Sequence, residues 1–437
     1  MNSIDACKLI ENNRHARSAT EFARQKRFGK RIALRPILMK TRRQIHYLDH
    51  ASMGRPTEWT LKRLRAALAD VAAYRSGGTD ETLRQFDAVE SARQRIARFI
   101  HADPASILLV GNTTQALGMI ATALPLARGD NILIADIEFM GATIVWRGVS
   151  RRLGVELVPV KTSGGTLAAE NFAACANSHT RAIIVSSVQE VSGFRADLNA
   201  IADVAAKSGA FVIADGIQEV GARPVDLRKL GVDAYCAGGH KWLRSPFGLG
   251  FASLSPRLLD ILDPSFQGYL ALAEPEVGWD RYMELPDRTP FDPLPARRDA
   301  ALMETGGYPN WLGAVALDAA IEYFQKRGPA RVWARIQTLR QRFVRGLSEL
   351  GVQLLGGPGL REETTAGIVT FCLPGGASQE KKLLDELTRA RIYTALRYVS
   401  GIGGIRVAMH ECNNNSDIDA LLDVTRRFIK RRAAARS

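Results

Sequence analysis

Between residues 107 and 237 the chain repeats one pattern: a short, mostly apolar run, a break rich in Gly or polar residues, then a segment with apolar positions every three or four residues. The short runs lie at 107–110, 131–135, 155–158, 182–186, 211–214 and 234–237. Runs of this kind, apolar at successive rather than alternate positions, fit strands buried on both faces. Segments 115–124, 141–153 and 199–208 have helical spacing. Their alternation predicts an α/β fold with a largely parallel central sheet and helices on both faces. Ahead of it, residues 57–75 place Leu61, Leu64, Ala67, Leu68 and Val71 on one helical face, and 80–100 behave alike. Residues 47–54 read as extended and close on a Gly-Arg-Pro turn.

The pattern changes after a connector at 280–295 that is rich in Pro, Asp and aromatic residues. Helical spacing at 311–325, 330–350, 378–390 and 416–430 then mixes with strand-like runs at 352–355, 368–373 and 405–408, the composition of a separate α+β domain. The expected organisation is a basic arm at 1–44, a large cofactor-binding domain at 45–300, a small C-terminal domain at 301–432 and a basic tail at 433–437.

Charge sharpens this division. The net +14 invites a nucleic-acid reading, but residues 1–44 hold 12 Lys/Arg against 3 acids, and 424–437 hold 6 against none. The remainder is close to neutral, and nothing specifies base readout, so nucleic acid is not an expected partner. Loose polyanion binding by the tails is the non-enzymatic alternative. No apolar run approaches the roughly 18 residues of a membrane span, so no membrane partner is expected. The arm lacks a continuous apolar stretch and carries Asp5, Glu11 and Glu21, which does not make a targeting signal. Cys7, Cys175, Cys236, Cys372 and Cys412 show neither C-x-x-C nor metal-ligand spacing. That fits a reducing, cytoplasmic location and no metal.

Candidate chemistry concentrates between Phe211 and Leu254. The run 211–214 ends in Asp215, and 234–237 ends in two glycines followed by His240 and Lys241. In open α/β sheets the ligand crevice lies beyond the C-terminal strand ends, so both side chains are expected there. A lysine at a buried strand end loses hydration, which favours the neutral amine, and a neutral amine condenses with an aldehyde to a Schiff base. An acid facing a pyridine nitrogen keeps that nitrogen protonated and strengthens pyridoxal phosphate as an electron sink. Gln218 is placed to reach the phenolic oxygen of such a cofactor. Singly, Lys241 also fits a side chain that snorkels to solvent and Asp215 a turn cap; the pair at successive strand ends favours the functional reading. The turn Val110-Gly111-Asn112-Thr113-Thr114-Gln115 offers free amides to an anion, although threonine capping reads the same way.

The segments D-G-I-Q-E-V-G-A-R-P-V-D-L and G-V-D-A-Y-C-A-G-G-H-K-W-L closely resemble the cofactor signature of the class V aminotransferase family, which includes cysteine desulfurases, isopenicillin N epimerase and kynureninase. The resemblance runs in order from Tyr47 to about Ile418. It implies the type I fold of pyridoxal-phosphate enzymes, pyridoxal 5′-phosphate as cofactor, a small amino-acid-like substrate and a homodimer with the site at the interface. By the same resemblance Lys241 forms the Schiff base, Asp215 binds the pyridine nitrogen and Gln218 the phenolic oxygen. Thr113, Thr114 and His240 would hold the phosphate, Phe139 would stack over the ring, and Arg406 would grip the substrate carboxylate. His50 begins one of the loops expected to shape the substrate pocket.

Several positions depart from the family pattern. Gly238 and Gly307 stand where a phosphate-binding serine and threonine are common, with Ser245 and Thr305 as the hydroxyls available to compensate. Glu190 replaces a common asparagine; a carboxylate there would change the ring's electronics, select a cationic substrate group, or turn to solvent. Residues 391–405, where a desulfurase carries its nucleophile, contain no cysteine, and Phe139 cannot move protons as a stacked histidine can. Lys241 is then the acid–base group at Cα. The expectation is an aminotransferase; C–S bond β-elimination and epimerisation, which begin from the same carbanion, are the alternatives.

Overall fold

Strands apolar at successive positions imply a sheet covered on both faces, and the computed structural model, which describes residues 44–73, 78–357 and 362–434, has one. In chain order the strands are β1 (His46–Tyr47), β2 (Ile107–Val110), β3 (Asn131–Ala135), β4 (Glu156–Val160), β5 (Thr180–Ser186), β6 (Phe211–Asp215), β7 (Ala234–Gly238), β8 (Gly250–Leu254), β9 (Gln353–Leu354), β10 (Ile368–Cys372), β11 (Ile392–Tyr393), β12 (Ala395–Val399) and β13 (Ile402–Ala408). The central sheet has seven strands in the order β2-β8-β7-β6-β5-β3-β4. All run parallel except β8, which is antiparallel to both neighbours. Sequence pattern does not single out β8, because it opens on Gly250. That glycine lets β8 approach β7: a Cβ there would lie 2.5 Å from the Ala237 carbonyl oxygen.

Each run feeds two cores, since successive strand side chains point to opposite faces. In β5, Ile183 and Val185 join one cluster while Ala182 and Ile184 join the other; in β6, Val212 and Ala214 oppose Ile213 in the same way. The first cluster is closed by helices Gly78–Ile100, Leu198–Ser208 and Trp311–Arg327, the second by Thr113–Ala123 and Met140–Leu153.

A second sheet, β12-β13-β10-β9, is antiparallel and four-stranded. Helices Pro329–Glu349, Gly376–Arg389 and Asn415–Ala434 cover it through a third core that includes Phe343, Leu383, Leu421 and Phe428. Helix Trp311–Arg327 packs Ala314, Leu317, Ile321 and Phe324 into the core of the central sheet, and residues from Ile45 onward form one compact unit. The segment after β1 joins the two sheets: β1 pairs with β11, Asp49 bridges Ala408, and Ala51 enters the central core. The basic arm, up to residue 43, and the last three residues of the tail lie outside the described residues. Among the described residues no helix is long and apolar enough to cross a membrane.

Candidate active site

The C-terminal ends of β2, β3, β5, β6 and β7 open on one cavity of about 330 Å³. β6 supplies Asp215, the turn after β7 supplies His240 and Lys241, β2 leads to Asn112, Thr113 and Thr114, β3 to Phe139, and β5 to Glu190. The second sheet adds Arg397 and Arg406 from β12 and β13, and the segment after β1 adds Ala51 and Ser52.

Burial sets the proton balance at its centre. Asp215 is buried, which raises its pKa from 3.8 to about 6; an N–H donated by Ile217 (2.9 Å) and the charge of Lys241 pull the other way, and Glu190 adds to the rise. Burial lowers the Lys241 pKa, opposed by Asp215 and Glu190 and assisted by Arg406 and Arg397. The amine lies 5.6 Å from the centre of the Phe139 ring. Its backbone is fixed from below: Gly54 N donates to His240 O at 2.8 Å, and a Cβ on Gly54 would sit 1.9 Å from the Lys241 carbonyl oxygen. His240 stacks on Phe247 at 4.7 Å, and burial together with Lys241 lowers its pKa to about 4, so the imidazole is neutral at pH 7. Gly238 makes room for that ring, since a Cβ there would lie 3.0 Å from His240 Nδ1 and 3.2 Å from Ile217 Cδ1.

The opposite end suits an anion. Asn112 caps helix Thr113–Ala123 by accepting Gln115 N at 2.9 Å, which leaves the Thr113 and Thr114 amides without intrahelical acceptors. Thr113 Oγ1 is buried without a partner, an arrangement that costs free energy unless a ligand completes it. An orphaned hydroxyl beside a helix N-terminus, a desolvated amine and a buried acid are the donor set that pyridoxal phosphate needs. Neither expected compensating hydroxyl lines this cavity: Thr305 lines a neighbouring one with Gly111 and Gln115, and Ser245 Oγ is buried without a partner.

Two expected residues are not among those lining the cavity. Gln218 accepts Trp242 Nε1 (2.8 Å) on Oε1 and donates Nε2 to Ala51 O (3.1 Å), so its amide braces the segment after β1. Because indole N–H only donates, this orientation of the amide is fixed. His50 is buried behind Ala51, its ring 5.0 Å from Tyr47 and 5.1 Å from His410, and burial keeps it neutral. Glu190 does not turn to solvent: its Oε2 accepts Arg406 Nη1 at 2.7 Å. Arg406 Nη2 also donates to Asp49 Oδ1 (3.1 Å) and Ser52 Oγ (2.7 Å).

Sequence reading missed Arg397, Ser52 and the buried Glu138, which accepts Ser186 N and Gln189 Nε2, each at 2.8 Å; it named Asn112 in the anion turn but expected threonine, not Asn112, as the cap. Burial still raises Glu138 to about 7. For Arg397 the missing signal was strand β12, whose alternation would have set it on the same face as Arg406.

The family model described as Aminotransferase class-V matches residues 46–421. The chain belongs to the class V aminotransferase family. A cysteine desulfurase of Yersinia pestis bv. Antiqua (strain Angola) is 31% identical over 336 residues, 75% of this chain and 77% of its own length. Among solved structures, the apo cysteine desulfurase of Thermococcus onnurineus NA1 is similar, with a TM-score of 0.75 at 22% identity over 88% of this chain and 95% of that one. A C-DES mutant with glycine covalently linked to its PLP cofactor gives a TM-score of 0.77 at 22% identity, over 88% and 96% of the two chains. This class V enzyme is pyridoxal-phosphate-dependent and has the type I fold.

Proposed function

We propose that this enzyme cleaves the Cβ–S bond of a small sulfur-bearing amino acid by β-elimination, without passing the sulfur to a protein thiol. The observation that carries this reading is a cavity lined by Lys241 in which, among the described residues, no cysteine takes part. Cys412 Sγ contacts His50 Nε2 at 3.7 Å, Cys372 Sγ donates to Gly403 O at 2.9 Å, and Cys236 is in the core. The relatives named cysteine desulfurase support a sulfur amino acid as substrate. At about 330 Å³ the cavity is at the lower end of the roughly 300–1,000 Å³ of ligand sites, and ring and substrate must share it, which supports a compact side chain.

Bound pyridoxal phosphate supplies an electron sink for negative charge at Cα. The desolvated Lys241 amine takes the α-proton. The Cβ–S bond breaks, sulfur leaves with the bonding pair, and the remaining aminoacrylate takes up water to yield pyruvate and ammonium. When the cofactor is bound, Asp215 would hold the ring nitrogen's proton, the Thr113 and Thr114 amides and the Thr113 hydroxyl would hold the phosphate, and Phe139 would cover the site. Amino transfer, placed first by the sequence, is the second reading; one lysine that moves a proton between two carbons suffices for it, and Lys241 is such a group.

Product analysis with cysteine, cystine and S-alkyl cysteines, with and without 2-oxo acids, tests this. Pyruvate and ammonium are expected in step with the sulfur product: sulfide from cysteine, cysteine persulfide from cystine and the thiol from an S-alkyl cysteine. Amino transfer to the oxo acid overturns the elimination in favour of the second reading, and loss of chirality alone would indicate an epimerase. We also infer a homodimer, because apolar side chains next to site residues are uncovered: Phe247, stacked on His240, is 66% exposed and Met140, adjacent in sequence to Phe139, is 73% exposed.

A further inference from the structure

The turn that carries Phe139 into the cavity is anchored at three successive residues, each in a different direction. Asp136 Oδ1 accepts Thr162 N at 3.2 Å and Thr162 Oγ1 at 2.8 Å, beyond β4. Ile137 is buried with Val191 and Leu355. Glu138, buried, reaches the end of β5: its Oε1 accepts Ser186 N and Gln189 Nε2, each at 2.8 Å, and its Oε2 accepts the Ser186 hydroxyl. Phe139 follows directly and leads into helix Met140–Leu153, its carbonyl accepting Ala142 N at 2.9 Å. Its ring is 42% exposed and lies against Gly141, where a Cβ would come within 3.0 Å of it. The placing of that ring therefore depends on how firmly the turn before it is held.

The strand end that Glu138 holds also supports the acid of the site. Ser186 is the register partner of Asp215, and Ser187 N donates to Asp215 O at 2.9 Å. Register partners on neighbouring strands share a face and lie about 4.8 Å apart. One buried carboxylate thus ties the residue before Phe139 to the neighbour of Asp215. We infer that Glu138 is a positioning residue: by clamping the turn after β3 to the end of β5, it fixes the Phe139 ring over the cavity that Asp215 also lines, and so sets how tightly a flat aromatic cofactor is held. The inference rests on the cofactor of the family and not on which substrate bond is broken. Burial raises the Glu138 pKa to about 7 against its hydrogen-bond donors, and the charge of Asp215 adds to the rise. Near neutral pH the side chain therefore passes between carboxylate and carboxyl. The clamp serves in both states, because the Ser186 hydroxyl can donate or accept. Hydrogen bonds rather than charge carry the role, which sets Glu138 apart from an acid that acts on the cofactor's electrons.

Calorimetry on the full chain, freed of cofactor, tests this with pyridoxine 5′-phosphate, which has the ring and phosphate of the cofactor but no aldehyde to condense with Lys241. Phe139→Leu is expected to weaken its binding by about three- to tenfold, the worth of a stacked ring pair. Glu138→Ala is expected to lose the same factor to within about twofold. The double variant Glu138→Ala/Phe139→Leu should lose no more than the larger single loss, because Glu138 acts through Phe139. Glu138→Gln is expected to bind within about twofold of wild type, since its amide oxygen can accept from Ser186 N and Gln189 while its N–H donates to the Ser186 hydroxyl. Wild-type affinity in Phe139→Leu or Glu138→Ala overturns the inference. So do losses that multiply in the double variant, the result for a residue that only stabilises the fold. A loss in Glu138→Gln as large as that in Glu138→Ala also overturns it, because the effect would then belong to charge. Should Glu138→Ala fail to fold, Glu138→Asp, one methylene too short to span Ser186 and Gln189, is judged by the same criteria. The probe takes part in no reaction, so product analysis that sinks the elimination leaves this result standing.

Discussion

Burial acts on Lys241 and Asp215 in opposite directions, lowering the pKa of the amine and raising that of the acid. For Asp215 this is also a statement about stability. Its folded pKa, about 6, lies above the ordinary 3.8, so the folded chain holds a proton that the unfolded chain has released. That contribution is complete below about pH 4 and is lost as pH rises through 6, a swing of roughly 3 kcal/mol for a shift of this size. In cofactor-free protein, Asp215→Asn should remove this part of the pH dependence between pH 4 and 7. Glu138, raised to about 7, contributes a separate slope that both proteins keep. Denaturant unfolding at several pH values measures the difference; identical slopes would mean that Asp215 ionises freely. Lys241→Ala should lower turnover by 10²-fold or more and remove the covalent cofactor absorbance. At this scale Lys241, Asp215 and the Thr113-Thr114 turn were legible because each sits at the end of an apolar run. The partners of Gln218, Trp242 and Ala51, were not legible, because those contacts are made only once the chain folds.

Elements explain which side chains could be foreseen. Runs such as 107–110 and 131–135 coincide with β2 and β3, since a strand covered on both faces needs no polar interruption. β8 and β12 escaped notice because Gly250 opens one and Arg397 interrupts the other, and with β12 went the second guanidinium. The segment after β1 was readable as extended, but its role as a floor beneath Lys241 was not. Gly54 makes that role testable. Its Cβ would overlap the Lys241 carbonyl oxygen at 1.9 Å, a backbone atom that cannot rotate away. Gly54→Ala should therefore cost about 3 kcal/mol of stability and displace the His240–Lys241 turn, weakening cofactor uptake. Normal uptake and unchanged unfolding would show that the turn yields freely. Asn112→Ala should cost about 1 kcal/mol through the lost cap.

Across the described residues the cavity is walled by two sheets, and Arg406 is one of the ties between them, beside such bonds as Thr370 Oγ1 to Val191 O. Arg406 joins β13 to Glu190 beyond β5 and to Asp49 and Ser52 after β1. Removal of one partner from a buried ion pair leaves the others uncompensated, at a cost of about 3–5 kcal/mol. The acids keep 17% and 19% side-chain exposure, so the lower end, about 3 kcal/mol, is the better expectation for Arg406→Gln. Arg397 has no such partner, and Arg397→Gln should leave stability within about 0.5 kcal/mol of wild type. The two substitutions therefore separate two arginines on one face: one lowers the denaturation midpoint, the other leaves it nearly unchanged. In the double variant Glu190→Gln/Arg406→Gln part of the lost stability should return, since no unpaired carboxylate remains at position 190. Equal stability of Arg406→Gln and wild type would mean that the sheets are held without any help from this ion-pair network.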